Sequence, residues 1–465
     1  MHDLSVLIGG KAGDGINQAG ALLARLMGEL GLRVCMEFDY PSLIRGGHNF
    51  SVVRASESPV AAHKDRIDFV LALNQDAVDL HRARLRVPSQ IVFDSDSAES
   101  DGLGLPLGAI LKELEAPPIT RNSCVIGAFG KSIGIPWEIV ERVLRKSVPR
   151  EIELNLKLAR RGFDAAKESV KLEPVNQAVL PIVTGNEAIG LGLLSAGLAT
   201  YIAYPMTPTS NLLHFLAGVA KDFPLKVIHP ENEIAVMLMA LGASYAGDRV
   251  AVGTSGGGFC LMTEGFSLAG MAELPVVVVL GQRPGPSTGL PTYTSQTELL
   301  FATNAGQGEF LRFVVAPGDV GEAYLWSQIA LNLSWKYQTP TIILGDKTLC
   351  EGAYSFDVES AMGAGGVVAG SAGGAAEDAK PGGGDVMGSE SGAALRAGGV
   401  EIGEGTFSHW DGKPPYRRYA DDPTGVSPLA FPSEKGAVVK VNSYEHDEFG
   451  ITTEDPALTN TIQEK

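Results

Sequence analysis

Short apolar runs alternate with helically spaced apolar stripes almost from the first residue. Leu4 to Ile8 is an unbroken apolar run, Gly9 to Gly15 is glycine-rich, and Ile16 to Leu30 carries its apolar residues at helical spacing. That succession predicts a strand, a tight loop and a helix. Past the stop signal at Gly31, further strands are expected at Arg33 to Glu37, Asn49 to Ala55 and Phe69 to Leu73, with helical text at Pro136 to Lys146. Strands interleaved with helices predict a parallel sheet with crossover helices.

Near Gly185 the same alternation starts again. Strands are expected at Thr200 to Ala203, Lys226 to His229, Arg249 to Gly253, Pro275 to Leu280, Arg312 to Val315 and Thr341 to Leu344. Helices fall between them, at Asn186 to Ala196, Asn211 to Ala220, Glu233 to Ala246, Gly258 toward Glu273, and Gly321 to Leu333. The expected fold class is α/β: two doubly wound parallel-sheet domains, then a flexible linker and a C-terminal extension. Boundaries are placed at 1–178, 179–356, 357–406 and 407–465. The linker assignment rests on Gly/Ala/Ser-rich text such as Gly363 to Ala376, which has too few large apolar residues to offset chain entropy. Phe407 to Pro456 is too short for a domain and is expected to drape over one.

Composition narrows the classes. The 465 residues are 45% hydrophobic and 20% charged, ordinary for a chain with a sizeable core. A net charge of −17 without a basic patch argues against a nucleic-acid partner. No apolar run approaches the roughly 20 residues a membrane helix needs, and the N-terminus lacks a leader pattern, so a cytoplasmic location is expected. Cys35, Cys124, Cys260 and Cys350 stand far apart with no C-x-x-C pair. This chain alone is therefore expected to hold no zinc or iron–sulfur site, and no metal ligand is assigned in it.

Five stretches carry candidate chemistry, each with a plain alternative. Gly9 to Gly15, with Gly13 and Gly15, lies where backbone N–H groups could hold a phosphate, or is simply a tight turn; it is not a Walker A loop. Ser42 to His48 sets Arg45 beside Gly46 and Gly47, which suits an anionic ligand or a solvated turn. Gly253 to Gly257 matches the G-x-S-x-G nucleophile elbow, but the only later histidines are His409 and His446, past the linker, and the alternative is that the glycines allow close approach of a ligand or neighbouring backbone. Glu233 opens a helix, a common place for an acid. Arg283 follows an apolar strand in a loop of small residues. It could clamp a carboxylate bidentately, with Thr207 and the loop threonines supplying hydroxyls, or be a solvated loop arginine.

Taken together, these residues resemble the 2-oxoacid:ferredoxin oxidoreductase family, specifically its large subunit with a γ-type domain fused ahead of an α-type, thiamine pyrimidine-binding domain. The specific pieces are Tyr204-Pro205-Met206-Thr207-Pro208, Glu233 with Gly242 to Gly247, Gly285 to Thr292, and Glu445-His446-Asp447-Glu448. The resemblance implies oxidative decarboxylation of a 2-oxoacid with coenzyme A as acyl acceptor and ferredoxin as electron acceptor. It further implies that thiamine diphosphate is shared with a β subunit that carries the magnesium and a [4Fe–4S] cluster. Gly13-Asp14-Gly15 has no Asn-Asn partner anywhere in this chain, in keeping with that division.

Carried over by motif, Glu233 would hydrogen-bond the aminopyrimidine ring and favour its imino tautomer. Thr207, Arg283 and Thr292 would hold the oxoacid carboxylate, and Tyr204 and Pro205 would shape the loop beside the thiamine. Gly13, Gly15, Ser42, Arg45, Gly46 and Gly47 are the weaker cofactor candidates, toward coenzyme A. The fused γ–α order favours 2-oxoglutarate or a broad 2-oxoacid range, with pyruvate and branched-chain acids open. Two departures stand out. The family's further C-terminal domain is expected after Glu445 to Glu448 and is not found before Lys465, and the Gly/Ala-rich tract is longer than the family's linker. They keep open a non-catalytic assembly or degenerate subunit as the alternative reading, with an α/β-hydrolase a distant third.

Overall fold

The computed structural model describes residues 3–41, 47–364, 395–397, 400–402 and 407–464. Apart from a helix Val358–Ala364 and a small hairpin of Leu395–Ala397 with Val400–Ile402, the expected linker lies outside the described residues.

The strands are β1 (Asp3–Lys11), β2 (Arg33–Asp39), β3 (His48–Ser56), β4 (Phe69–Ala72), β5 (Ile91–Asp94), β6 (Leu103–Leu105) and β7 (Ile182–Thr184). They continue as β8 (Thr200–Ala203), β9 (Lys226–Ile228), β10 (Val250–Ser255), β11 (Val277–Gln282), β12 (Phe313–Val315), β13 (Thr341–Asp346) and β14 (Ala353–Ser355). Two large sheets result. The first runs β6-β5-β4-β1-β3-β2-β14-β7 and the second β12-β13-β11-β10-β8-β9.

The second sheet is parallel throughout, as expected. A parallel sheet carries helices on both faces, so its strands are buried on both sides and read as continuous apolar runs. All six residues of β11 are buried. Alternation then sorts its neighbours. Val277 and Val279 join the core shared with helices Gly185–Ser195, Ser210–Val219 and Val320–Tyr337, while Val278 and Leu280 join the core shared with Glu233–Tyr245 and Gly256–Met271. Each such aliphatic side chain contributes about 1.5–3 kcal/mol when fully removed from water.

The first sheet departs from the all-parallel expectation. β1, β4, β5 and β6 are parallel, but β3 lies antiparallel between β1 and β2. Only residues 40–47 separate β2 from β3, too few for the crossover of a dozen or more residues that parallel strands require. The α/β class stands, and the first sheet is mixed.

Strands β7 and β14, which open and close the second sheet's segment, pair antiparallel with each other, and β14 adds to β2 at the first sheet's edge. Buried side chains key the same junction. Lys347 Nζ donates to the Phe38 carbonyl at 2.7 Å, and Tyr40 Oη donates to Glu351 at 3.1 Å.

The 407–464 segment binds the second sheet's domain where two helices end. Arg418, 2% exposed, donates to the Glu273 carbonyl at 2.7 Å and to Gln338 Oε1 at 2.7 Å. These residues follow helices Gly256–Met271 and Val320–Tyr337, so a cation sits at the carbonyl ends of both. His446 stacks on Tyr419 with ring centroids 3.7 Å apart.

Candidate functional site

In an open parallel sheet, ligands bind outside the carboxyl ends of the strands. In the second sheet the ends of β8, β10 and β11 give the Tyr204 to Thr209 loop, the glycines after Ser255, and Arg283.

Glu233 is the first residue of its helix and 5% exposed, and Asn232 caps that helix by accepting from the Ala235 amide at 2.9 Å. The carboxylate lies against Gly258, in the first turn of the neighbouring helix. A Cβ built on Gly258 would stand 2.7 Å from Glu233 Oε1 and 2.2 Å from Thr254 Oγ1. The glycines after β10 thus serve close approach by acidic side chains, Glu233 at Gly258 and Glu298 at Gly256.

The elbow itself fails. Ser255 Oγ is buried without a partner among the described residues. His409 pairs with Glu434 at 3.2 Å and His446 reaches toward the Met271 carbonyl at 3.4 Å, so both are engaged in how the C-terminal segment folds and packs. The hydrolase reading is overturned by placement.

Arg283 is 7% exposed, and its Nη1 donates to the Thr207 carbonyl at 2.9 Å. Two segments far apart in sequence, the Tyr-Pro-Met-Thr-Pro loop and the loop after β11, are thereby joined. The loop is held from the other side by Asn186, whose Nδ2 donates to the Pro208 carbonyl at 2.9 Å. Among the described residues Arg283 Nε is buried with no partner, a donor left over for an anion. Burial pushes the guanidinium below its usual range, and Glu298 counters that pull. Thr292 is half-buried in the loop after Arg283. Gly289, at φ 55°, shapes that loop: Leu290 N donates to the Pro284 carbonyl at 3.0 Å, on which any Cβ at Gly289 would fall. Tyr204 is exposed and meets His229 edge-on at 5.9 Å, and Pro205 is half-buried.

Sequence reading missed Glu298. It is 9% exposed, a Cβ on Gly256 would stand 2.6 Å from its Oε1, and its Oε2 has no partner among the described residues. Burial raises its carboxyl above the ordinary range, against the backbone amide and charge of Arg283. Nothing local marks it, because an acid just before a short helix is commonplace. Gln282 orients it, accepting from the Glu298 amide at 3.2 Å, and also lines a cleft of about 460 Å³ with Gln296, Asp346 and Ala61.

The γ-type candidates sit on the other sheet. Gly15, at φ 72°, precedes helix Ile16–Gly28, and Gly13, at φ 93°, has open space around it. Between them Asp14 accepts from the Lys11 amide at 2.8 Å and pairs with Arg121 at 2.5 Å, so the chain's own carboxylate takes one loop N–H. Gly47 packs on Pro41, and Ser42, Arg45 and Gly46 lie outside the described residues. Among the described residues no group of three or more His, Cys, Asp or Glu is placed to hold a metal ion, and no helix is long and apolar enough to cross a membrane. Cys35, Cys124 and Cys350 are buried free thiols and Cys260 is exposed.

Comparisons with known proteins bear on both halves of the chain. Residues 5–165 match the family model "Pyruvate ferredoxin/flavodoxin oxidoreductase" and residues 192–372 match "Pyruvate flavodoxin/ferredoxin oxidoreductase, thiamine diP-bdg". The chain is 29% identical to 2-oxoacid:ferredoxin oxidoreductase 2, subunit alpha, of Aeropyrum pernix, over all of this chain and 78% of that one. It is 37% identical to the 2-oxoglutarate synthase subunit KorA of Archaeoglobus fulgidus over 36% of this chain and 49% of that one. The solved structure of 2-oxoglutarate:ferredoxin oxidoreductase from Magnetococcus marinus, with 2-oxoglutarate, coenzyme A and succinyl-CoA bound, superposes with a TM-score of 0.82. Its identity is 27%, over all of this chain and 77% of that one.

Proposed function

The chain belongs to the 2-oxoacid:ferredoxin oxidoreductase family as a fused γ–α subunit, and from that premise we propose that it supplies the pyrimidine and oxoacid half of the active site. The reaction is coenzyme A-dependent oxidative decarboxylation of a 2-oxoacid, 2-oxoglutarate favoured, to an acyl-CoA and CO2 with reduction of ferredoxin. The observation that carries this reading is the joining of Arg283 to the Thr207 loop, with Arg283 Nε buried and without a partner among the described residues.

Thiamine diphosphate, when bound, supplies an acidic C–H and an electron sink for decarboxylation. The residues present fit its pyrimidine end: Glu233 is a buried acid seated beside glycines, with its helix independently capped by Asn232. Its part is to hold a proton at a ring nitrogen. Arg283 orients the oxoacid by its carboxylate, with the hydroxyls of Thr207 and Thr292 beside it. Tyr204 and Pro205 border the pyrimidine. The magnesium and the [4Fe–4S] cluster belong to a β-type partner, because this chain has neither an Asn-Asn pair nor clustered cysteines. Gly13, Gly15 and Ser42 to Gly47 remain the proposed coenzyme A side.

The test is oxoacid-dependent viologen reduction under anaerobic conditions, by the chain with and without its β-type partner, supplied with thiamine diphosphate, magnesium and coenzyme A. Activity is expected only from the pair, with 2-oxoglutarate ahead of pyruvate. Reduction by the isolated chain at a rate the partner does not change would reject the shared site.

A further inference from the structure

We infer that Asn186 is a positioning residue for the oxoacid site: it holds the turn at Thr207 and Pro208, and through that turn it aims the Arg283 guanidinium. The inference rests on the proposed role of Arg283 in binding the substrate carboxylate.

Asn186 is fully buried in the first turn of helix Gly185–Ser195, yet its side chain has no part in starting that helix. Thr184 and Glu187 cap it in a box: the Glu187 amide donates to Thr184 Oγ1 at 3.2 Å, and the Thr184 amide to Glu187 Oε2 at 2.7 Å. Among the described residues the Asn186 side chain makes one hydrogen bond, and it leaves the helix: Nδ2 donates to the Pro208 carbonyl at 2.9 Å. Its Oδ1 is buried with no partner among the described residues. A buried amide with half its capacity unused costs stability that an apolar side chain of similar size would not. Packing alone would favour leucine here.

The base from which Asn186 reaches is fixed. A Cβ built on Gly185 would stand 2.1 Å from the Leu349 carbonyl oxygen, so the helix start lies directly against the backbone of helix Lys347–Glu351. At the far end, three consecutive residues of the turn are each held by a different contact. Arg283 Nη1 donates to the Thr207 carbonyl at 2.9 Å, Asn186 donates to the Pro208 carbonyl, and Thr209 Oγ1 is shared between the carbonyls of Met206 at 3.0 Å and Thr254 at 3.3 Å. Peptide units are planar and the proline ring locks φ, so only ψ of Pro208 is soft between the planes of the two gripped carbonyls. Holding the Pro208 carbonyl therefore sets the direction of the Thr207 carbonyl, and with it the tilt of the guanidinium that donates there. Bidentate recognition of a carboxylate is directional, so that tilt governs how well the remaining N–H groups meet the substrate.

The complex with its β-type partner is assayed by viologen reduction, and KM is measured for 2-oxoglutarate and for coenzyme A in the parent and in Asn186→Leu. Leucine removes the donor and the unpaired oxygen at nearly the same volume, so Tm should equal or exceed the parent's. KM for 2-oxoglutarate should nonetheless rise by about tenfold to 10²-fold, as for a misplaced binding group, with KM for coenzyme A unchanged. Asn186→Ala, which adds no branch to the site, should show the same split at a lower Tm and keeps the test open if leucine does not fold. A folded variant with the parent's oxoacid KM, or an equal rise in both KM values, overturns the inference. Arg283→Ala separates the two layers. In that background Asn186→Leu should raise the oxoacid KM no further, because the two residues act in one chain of contacts. An unchanged KM in Arg283→Ala alone rejects the carboxylate site and this inference with it, whereas a raised KM there with a fully additive effect of Asn186→Leu rejects only the role of Asn186.

Discussion

Replacing Gly258 by alanine puts a methyl group 2.2 Å from Thr254 Oγ1 and 2.7 Å from Glu233 Oε1. Neither neighbour can retreat freely, because Thr254 is fully buried and Glu233 starts a helix capped by Asn232. Overpacking of this kind costs about 1–3 kcal/mol, and alanine's advantage over glycine within a helix returns about 0.5–1 kcal/mol. The net destabilisation is about 1–2 kcal/mol, a fall in Tm of about 2–8 °C for a domain of this size. The carboxylate must also move, and a displacement approaching 1 Å at a reacting group can cost about 10²-fold in rate. Thermal melts read the first effect, and oxoacid-dependent viologen reduction by the complex reads the second. Gly257→Ala is the control, since its Cβ meets only the Ser287 carbonyl at 3.4 Å, an ordinary contact. If Gly258→Ala melted and turned over like Gly257→Ala, Glu233 would not be seated against Gly258.

Glu233→Gln should fold normally yet lose about 10²-fold or more in thiamine-dependent proton exchange, because an amide cannot hold the proton at the ring nitrogen; near-parental exchange would remove Glu233 from the reaction. Arg418→Ala strips the buried cation from two helix ends and should cost about 3 kcal/mol or more, read as a fall in Tm and faster proteolysis within 407–464. His63 meets Glu37 at 2.6 Å, and that hydrogen bond raises His63 and lowers Glu37. The raised histidine stabilises fully below about pH 6.5 and loses its effect as pH rises through its folded value; the lowered glutamate stabilises above about pH 4.3 and loses it as pH falls. His63→Gln should therefore cost more at pH 5.5 than at pH 8.5 in urea unfolding, by under about 1 kcal/mol for so exposed a pair. Equal losses at both pH values would contradict the assignment.

Much of the second domain was legible because a parallel strand buried on both faces is an uninterrupted apolar word. Thr200–Ala203 matches residue for residue, and the strand expected at Pro275 to Leu280 is found at Val277–Gln282. The first sheet was less legible, because β3 carries the same apolar text whichever way it runs, and only the length of 40–47 decides its direction. Short β7 and β14 were missed: three half-apolar residues have no period, and their partners lie far along the chain. In the candidate site, Glu233, Thr207 and Arg283 were visible as motif residues at element ends. Glu298 was invisible because its burial against Gly256 and Gln282 is something only the folded chain creates.

The pairing of β7 with β14 gives the molecule an unexpected modularity. The 168 residues between Thr184 and Ala353 are one cross-strand step apart at their ends, since Thr184 stands opposite Ala353 in the register, with the two strands antiparallel. Everything between them is, topologically, the loop of a hairpin. Removing 185–352 and joining Thr184 to Ala353 through an Asn-Gly turn would leave a plain two-residue hairpin still paired to β2. The mixed sheet would then keep its eight strands, with β2 covered rather than presenting the open edge that invites pairing with other chains. The thiamine-binding half is a cassette held at a single seam, and the β2 edge is the socket into which such a cassette fits.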